Sequence, residues 1–319
     1  LKGRMEMQKT LLLLCSLIVL AVSFNFTPVV TAASSYNGHW EDHNSVGQYG
    51  MDQMMLDMKS KGNQVTVEVS NDYFLPFEDS RESFKSSVRR MRSSVVNGTV
   101  VFNSKGQASF KYKDEYNNGQ MSIQMQNDGV KITWTGKEAS EFSFPQGTFK
   151  LYKKINVGAA EMKKLGTFLS NFTELHLDEF DAKRVNNAEL IRFGVWHNYI
   201  NNFNSRISTS NGKLFISKTH VEDSIQKYFN TQFRNHRSVN GFKFNGKGYI
   251  FDGADGAPVY YVRAQDVFDL GQNKLRVSGV LYDADSPSTE MVSEVEAVLK
   301  KAKVQNKISY ALVTLKVKR

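Results

Sequence analysis

Two histidines four residues apart, His39 and His43, enclose Trp40, Glu41 and Asp42. On a helix that spacing would put both imidazoles on one face, where they would bind zinc. Glu41 does not fall where His-Glu-x-x-His needs it, and Gly38 and Trp40 read as a strand entrance, so no metal site is assigned. His197 follows Trp196 in a strongly apolar segment. There an imidazole would serve as a general base in a pocket, or as a hydrogen-bonded core residue. His220, Asp223 and Asp266 are its possible partners, and no spacing selects one, so His197 is a candidate and no catalytic residue is assigned. Asp252-Gly253-Ala254-Asp255-Gly256 and Asp283-Ala284-Asp285 carry carboxylates at spacings that would hold calcium. They lack the Asp-x-Asp-x-Asp-Gly pattern, and Asp-Gly is a routine turn. The chain has no Gly-x-Ser-x-Gly and no phosphate-cradling glycine loop with a following lysine, which excludes the enzyme classes built on those motifs. No cofactor is expected.

The strongest binding candidate is a run of aromatic residues followed by cations. Tyr73-Phe74-Leu75-Pro76-Phe77 reads as an aromatic loop. Phe84, Val88 and Met91 then fall at i, i+4 and i+7, which predicts a helix, with Arg81, Lys85, Arg89 and Arg92 on the adjacent face. At a barrel mouth, Tyr73, Phe74, Phe77, Arg81, Lys85 and Arg89 would form an apolar lid bordered by charge, suited to an amphiphilic anionic ligand such as a lipid. The plainer alternative is that Phe74 and Phe77 cover the barrel end.

The elements that must position these residues divide in two. Over residues 34–154, short period-two segments alternate with turns. Val65-Thr66-Val67-Glu68-Val69 is the clearest segment, and Asn97-Gly98, Asn117-Asn118-Gly119 and Asn127-Asp128-Gly129 are among the turn signals. About eight strands joined this way form an antiparallel meander, which closes readily into a small barrel. The period changes between Ile155 and Gly158. Residues 155–319 then predict three helices followed by an antiparallel sheet, an α+β arrangement. Met162, Leu165, Phe168, Leu169 and Phe172 form one helical stripe. The second helix starts near Asn187 behind an Asn186/Glu189 capping box and is apolar over most of its girth, hence central and buried. The third runs from Thr219 to about Phe229, with Thr219 and Glu222 as a further capping box. Residues 291–303 suit either a helix or a strand, and a hairpin with the last strand is preferred.

Gly38-His39-Trp40 opens the first region, which resembles the lipocalin-like (calycin) barrels, where Gly-x-Trp lies on the first strand. That resemblance implies a basic residue of the last strand, Lys150 or Lys153, stacked on Trp40. The interposed helix near Phe84 departs from the lipocalin plan. The second region resembles those of uncharacterised secreted bacterial proteins, through Leu169-Ser170-Asn171-Phe172, Trp196-His197-Asn198-Tyr199-Ile200-Asn201-Asn202 and Gly253-Ala254-Asp255-Gly256. Its helix-then-sheet order is similar to the NTF2-like cone, a fold of both enzymes and binding modules, whose enzymes commonly place a His and an Asp inside the cone.

Residues 1–33 read as a secretory signal: Lys2, Arg4 and Lys9 precede an apolar run from Leu11 to Val22, and Val30-Thr31-Ala32-Ala33 supplies small residues for cleavage. The run is too short to span a bilayer, so no transmembrane helix is expected in the exported chain. The only cysteine, Cys15, lies within it, so the exported protein folds without disulfides. The formal charge of +9 over 319 residues attracts anionic partners, but no Lys/Arg run is dense enough for nucleic acid. The expectation is a secreted or cell-envelope bacterial binding protein for a small apolar or amphiphilic ligand. The alternatives are an envelope interaction module without such a ligand, or an NTF2-like enzyme using His197.

Overall fold

The computed structural model describes residues 36–42, 52–76, 88–138, 144, 146–253, 258–285, 293–304 and 307–318. The leader-like segment, His43, Phe77, Arg81 and Lys85 lie outside the described residues. Strands dominate. The first eight are β1 (Gly38–Asp42), β2 (Asp52–Lys61), β3 (Gln64–Pro76), β4 (Val88–Val100), β5 (Gln107–Lys113), β6 (Asn117–Gln126), β7 (Gly129–Glu138) and β8 (Gly147–Lys154). Their order is β5-β6-β7-β8-β1-β2-β3-β4, antiparallel throughout.

The expected closure into a barrel does not occur, because no ladder joins β4 to β5. Side chains meet there instead: the Phe110 ring of β5 lies over Gly98 of β4, where a Cβ would come within 2.7 Å of it. Trp40, Met54, Leu56, Met58, Val67, Met121, Ile123, Ile132, Trp134 and Phe144 are all buried in one apolar cluster. Period-two alternation produces this directly, since Val65, Val67 and Val69 point to the same face of β3.

The helix expected around Phe84–Met91 is overturned from Val88 onward, where the chain is strand β4. Val88, Arg89, Arg90 and Met91 pair with Pro76, Leu75, Phe74 and Tyr73, so the aromatic loop is, as far as Pro76, the end of β3. A short apolar run satisfies helical and strand spacings alike, and the backbone partners offered by β3 decide between them.

The second half begins with α1 (Ala159–Thr173), followed by β9 (Glu179–Asp181), α2 (Asn187–Asn201), α3 (Phe203–Arg206), β10 (Ile207–Ser210), β11 (Lys213–Ser217) and α4 (Lys218–Phe229). It ends with β12 (Lys243–Phe244), β13 (Gly248–Phe251), β14 (Tyr260–Asp269), β15 (Lys274–Asp283), β16 (Ser293–Val304) and β17 (Lys307–Lys318). The strand preferred over residues 291–303 is therefore present as β16, paired with β17. Asn186 caps α2, accepting a hydrogen bond from the Ala188 amide at 2.9 Å. The cap of α4 is Ser217, two residues earlier than Thr219, and Glu222 turns away to Arg234 and His236.

Strands β14-β15-β16-β17-β9 continue the large sheet, while β10-β11-β13-β12 form a separate sheet of four. The junction is β8. It pairs with β7 up to Leu151, and its last residues, Lys153 and Lys154, pair with Asp269 and Phe268 of β14. The sheet is thus continuous, but two distinct apolar clusters pack against it, the second uniting α1, α2 and α4 with β14 to β17. Among the described residues no helix is long and apolar enough to cross a membrane.

A candidate ligand groove along helix α1

Before β8 is reached, β14 has an edge that no strand covers among the described residues. Helix α1 lies along it. A Cβ on Gly166 would come within 2.7 Å of the Val262 carbonyl oxygen, so only glycine lets the helix approach this closely. One turn on, the Ser170 hydroxyl accepts from the Val262 amide at 2.9 Å and donates to the Gly166 carbonyl at 2.9 Å. Thr173 donates to the Tyr260 carbonyl at 2.8 Å. Gly166, Ser170 and Thr173 share one face of α1 and supply edge polar groups of β14 with partners that a strand would otherwise provide. The apolar stripe of Leu165, Leu169 and Phe172 turns to the core beside them.

A helix seated on a sheet edge cannot fill the space on both sides of the contact, and a cavity of about 630 Å³ remains. From α1 it is lined by Ala159, Met162, Lys163, Thr167, Asn171 and Glu174, positions that recur at the helical period along the whole helix. Tyr261 and Arg263 of β14, Tyr282 of β15 and Asn201 of α2 complete the walls. The Arg263 guanidinium lies 5.1 Å from the centre of the Tyr282 ring, with Tyr261 beside it. The groove is therefore aromatic along its wall and cationic at one end. The other holds the carboxyl of Glu174, 7% exposed, with the Asn201 amide donating to its Oε1 at 2.5 Å. Burial pushes the Glu174 carboxyl above the usual carboxylate range, against the hydrogen bond from Asn201.

His197 lies behind this end and does not line the groove. Its ring stacks on Phe193, packs edge-on to Tyr228 and is 3% exposed. Its Nδ1 lies 3.3 Å from the Asn201 amide nitrogen, a donor, so Nδ1 accepts. Burial, with Lys227 and Arg206 nearby, pushes its pKa down to about 4 and keeps it neutral. The partners considered for it are elsewhere. His220 and Asp223 face each other on α4 at 4.0 Å, and Asp266 binds Lys154 at 2.9 Å. The carboxylate nearest His197 is Glu174, whose Oε1 is 3.9 Å away.

Of the residues expected to bind a ligand, Tyr73 and Phe74 fall on β3 and Arg89 on β4, opposite Leu75. His39 is in β1, hydrogen-bonded through Nδ1 to Asp57 (2.9 Å) and through Nε2 to Glu41 (2.8 Å). Asp252 is paired with Lys213 at 2.6 Å, and Asp283 accepts from the Asp285 amide in a turn. Among the described residues no three His, Cys, Asp or Glu side chains gather into a metal site. Lys153 lies over Trp40 at 5.3 Å, the contact expected of Lys150 or Lys153. Sequence reading passed over Glu174, Asn201, Arg263, Tyr261 and Tyr282. The available signal was Gly166, Ser170 and Thr173, small residues at helical spacing beside the apolar stripe. No family model, curated protein or solved structure matches this chain.

Proposed function

We propose that this protein is a non-enzymatic binding protein whose small amphiphilic ligand lies in the groove between α1 and β14. The observation that carries this is the groove itself: about 630 Å³, with apolar and aromatic walls from Met162, Tyr261 and Tyr282 and a few polar groups at its two ends. That size and mixture are those of small-molecule sites. The missing β4–β5 ladder, which leaves the N-terminal meander open, supports the groove over a closed barrel cavity. The signal-like first 33 residues support export, and the Trp40–Lys153 contact is in keeping with a lipocalin-like N-terminal half. The test is a titration with anilinonaphthalene sulfonate, an anionic aromatic amphiphile, against the wild type and Thr167→Trp. Thr167 is an exposed groove-lining residue, so the substitution fills the groove without touching the core. The expected result is fluorescent binding that weakens at least about tenfold in the variant. Equal binding by both proteins would reject the groove as the site.

A further inference from the structure

The two ends of the groove differ in charge, and the fold fixes the distance between them. Glu174 is the C-cap of α1 and Asn201 the last residue of α2, so two helix C-termini converge on the same end. Neither helix has a basic residue in its last turn to offset the negative pole of its dipole. Glu174, 7% exposed, is a lining residue of the cavity there, its Oε1 held by the Asn201 amide. This is a seat for a cation small enough to enter, and an ammonium group fits it. The basic side chains behind this end are His197 of α2, Arg206 of α3 and Lys227 of α4. His197 is neutral, Arg206 donates to Asn198 Oδ1 at 3.2 Å, and Lys227 lies over the Tyr228 ring at 4.8 Å.

Towards the N-terminus of α1 the sign reverses. Arg263 is level with the segment between Gly166 and Ser170, as the contacts of Val262 with both residues show. Lys163 lies one turn further on. At 1.5 Å per residue, Arg263 is about 10 Å and Lys163 about 16 Å from Glu174 along the helix axis. An extended peptide rises about 3.4 Å per residue, so these separations match three to five residues. Between the charged ends, Asn171 and Thr167 line the groove with polar side chains, and Tyr261 and Tyr282 offer aromatic faces.

We propose that the groove binds a short, extended peptide with free ends, its N-terminal ammonium at Glu174 and its C-terminal carboxylate at Arg263 and Lys163. This rests on the groove being the ligand site and goes beyond it in naming the ligand's chemistry and direction. The test is calorimetry with the tripeptides Ala-Ala-Ala, Ala-Leu-Ala, Ala-Phe-Ala, Ala-Lys-Ala and Ala-Glu-Ala, each also N-acetylated and C-amidated. At least one free tripeptide binds, and N-acetylation weakens it about tenfold or more. In Glu174→Gln the acetylated and free forms bind alike. In Arg263→Gln, an exposed position, the C-amidated and free forms bind alike. If Glu174→Gln fails to fold, the capped peptides on the wild type and Arg263→Gln still decide. Capped and free peptides binding the wild type equally would overturn the proposal, as would no tripeptide binding at millimolar concentration. In either case, anilinonaphthalene sulfonate binding that Thr167→Trp abolishes would leave the groove standing as a site for another ligand. Loss of that dye contrast would remove the site itself.

Discussion

The gap between β4 and β5 and the bare edge of β14 pose the same problem in two parts of one sheet, and the chain answers it differently. In the N-terminal meander the gap is occupied by an apolar ring, Phe110 over Gly98, and Met, Val, Ile and Trp side chains are buried in one cluster behind it. At β14 the edge is covered by a helix that touches it through a glycine, a serine and a threonine. An apolar plug takes up the space it closes. A helix of circular section laid on a strand leaves a cleft beside the contact line, and here that cleft is lined by residues of four elements. The difference teaches where a ligand can go: in the half that looks like a binding barrel in sequence the described inward side chains pack on one another, and the half that looks like a plain α+β layer carries a groove.

The largest effect should come from breaking the packed side. Trp134 is among the largest fully buried side chains, packed against Phe144 in the N-terminal cluster. Trp134→Ala is expected to cost about 3–5 kcal/mol, seen as a lowered first transition in calorimetry. The two clusters share no residue, so dye binding in the groove should persist below that transition. Parallel loss of dye binding would mean that the halves unfold as one and the contrast between them is only local.

A smaller effect is expected on the polar side. Ser170→Ala removes the acceptor of the buried Val262 amide and leaves that donor unpaired, at a cost of about 1–3 kcal/mol. Because the serine fixes the spacing of α1 and β14, groove affinity should fall more than stability alone explains. Unchanged affinity alongside reduced stability would show that Gly166 and Thr173 are sufficient to hold the helix on the strand.

The sequence made one of these two solutions readable and hid the other. Alternation of valines and methionines, with Asn-Gly and Asp-Gly turns, marks the strands of the meander because a strand's inward residues are its own second neighbours. The stripe of Leu165, Leu169 and Phe172 is readable for the same reason, at helical period. Closure is not, since β4 and β5 fail to pair through a single ring over a single glycine. The groove joins Glu174 and Asn201 to Arg263 and Tyr282, residues that no local spacing relates, and its edge-capping serine and threonine look in sequence like a solvated helix face. His197 stood out by its apolar surroundings, and those surroundings are what bury it and keep it neutral.

The finest test concerns what ties the two regions together. Asp57, His39, Glu41, Lys154 and Asp266 form an unbroken polar chain across β2, β1, β8 and β14, at separations of 2.9, 2.8, 3.1 and 2.9 Å. Its one imidazole is His39, raised above its ordinary value chiefly by the hydrogen bond that it donates to Glu41 and also by Asp57, with burial opposing. Burial works to raise Glu41, but its contacts with His39 and Lys154 hold it below the usual carboxylate range. A histidine raised on folding stabilises fully below its unfolded pKa of about 6.5, and that contribution is lost as pH rises through the higher folded value. His39 and Asp57 are a third to a half exposed, so the expected effect is below about 1 kcal/mol. His39→Gln should therefore lower the melting temperature slightly at mildly acid pH and leave it unchanged at mildly alkaline pH. The loss should be confined to the transition of the strands that the chain of ion pairs crosses. A pH-independent difference would mean that His39 acts by packing alone, and that β8 holds the two regions together through its backbone ladder without help from charge.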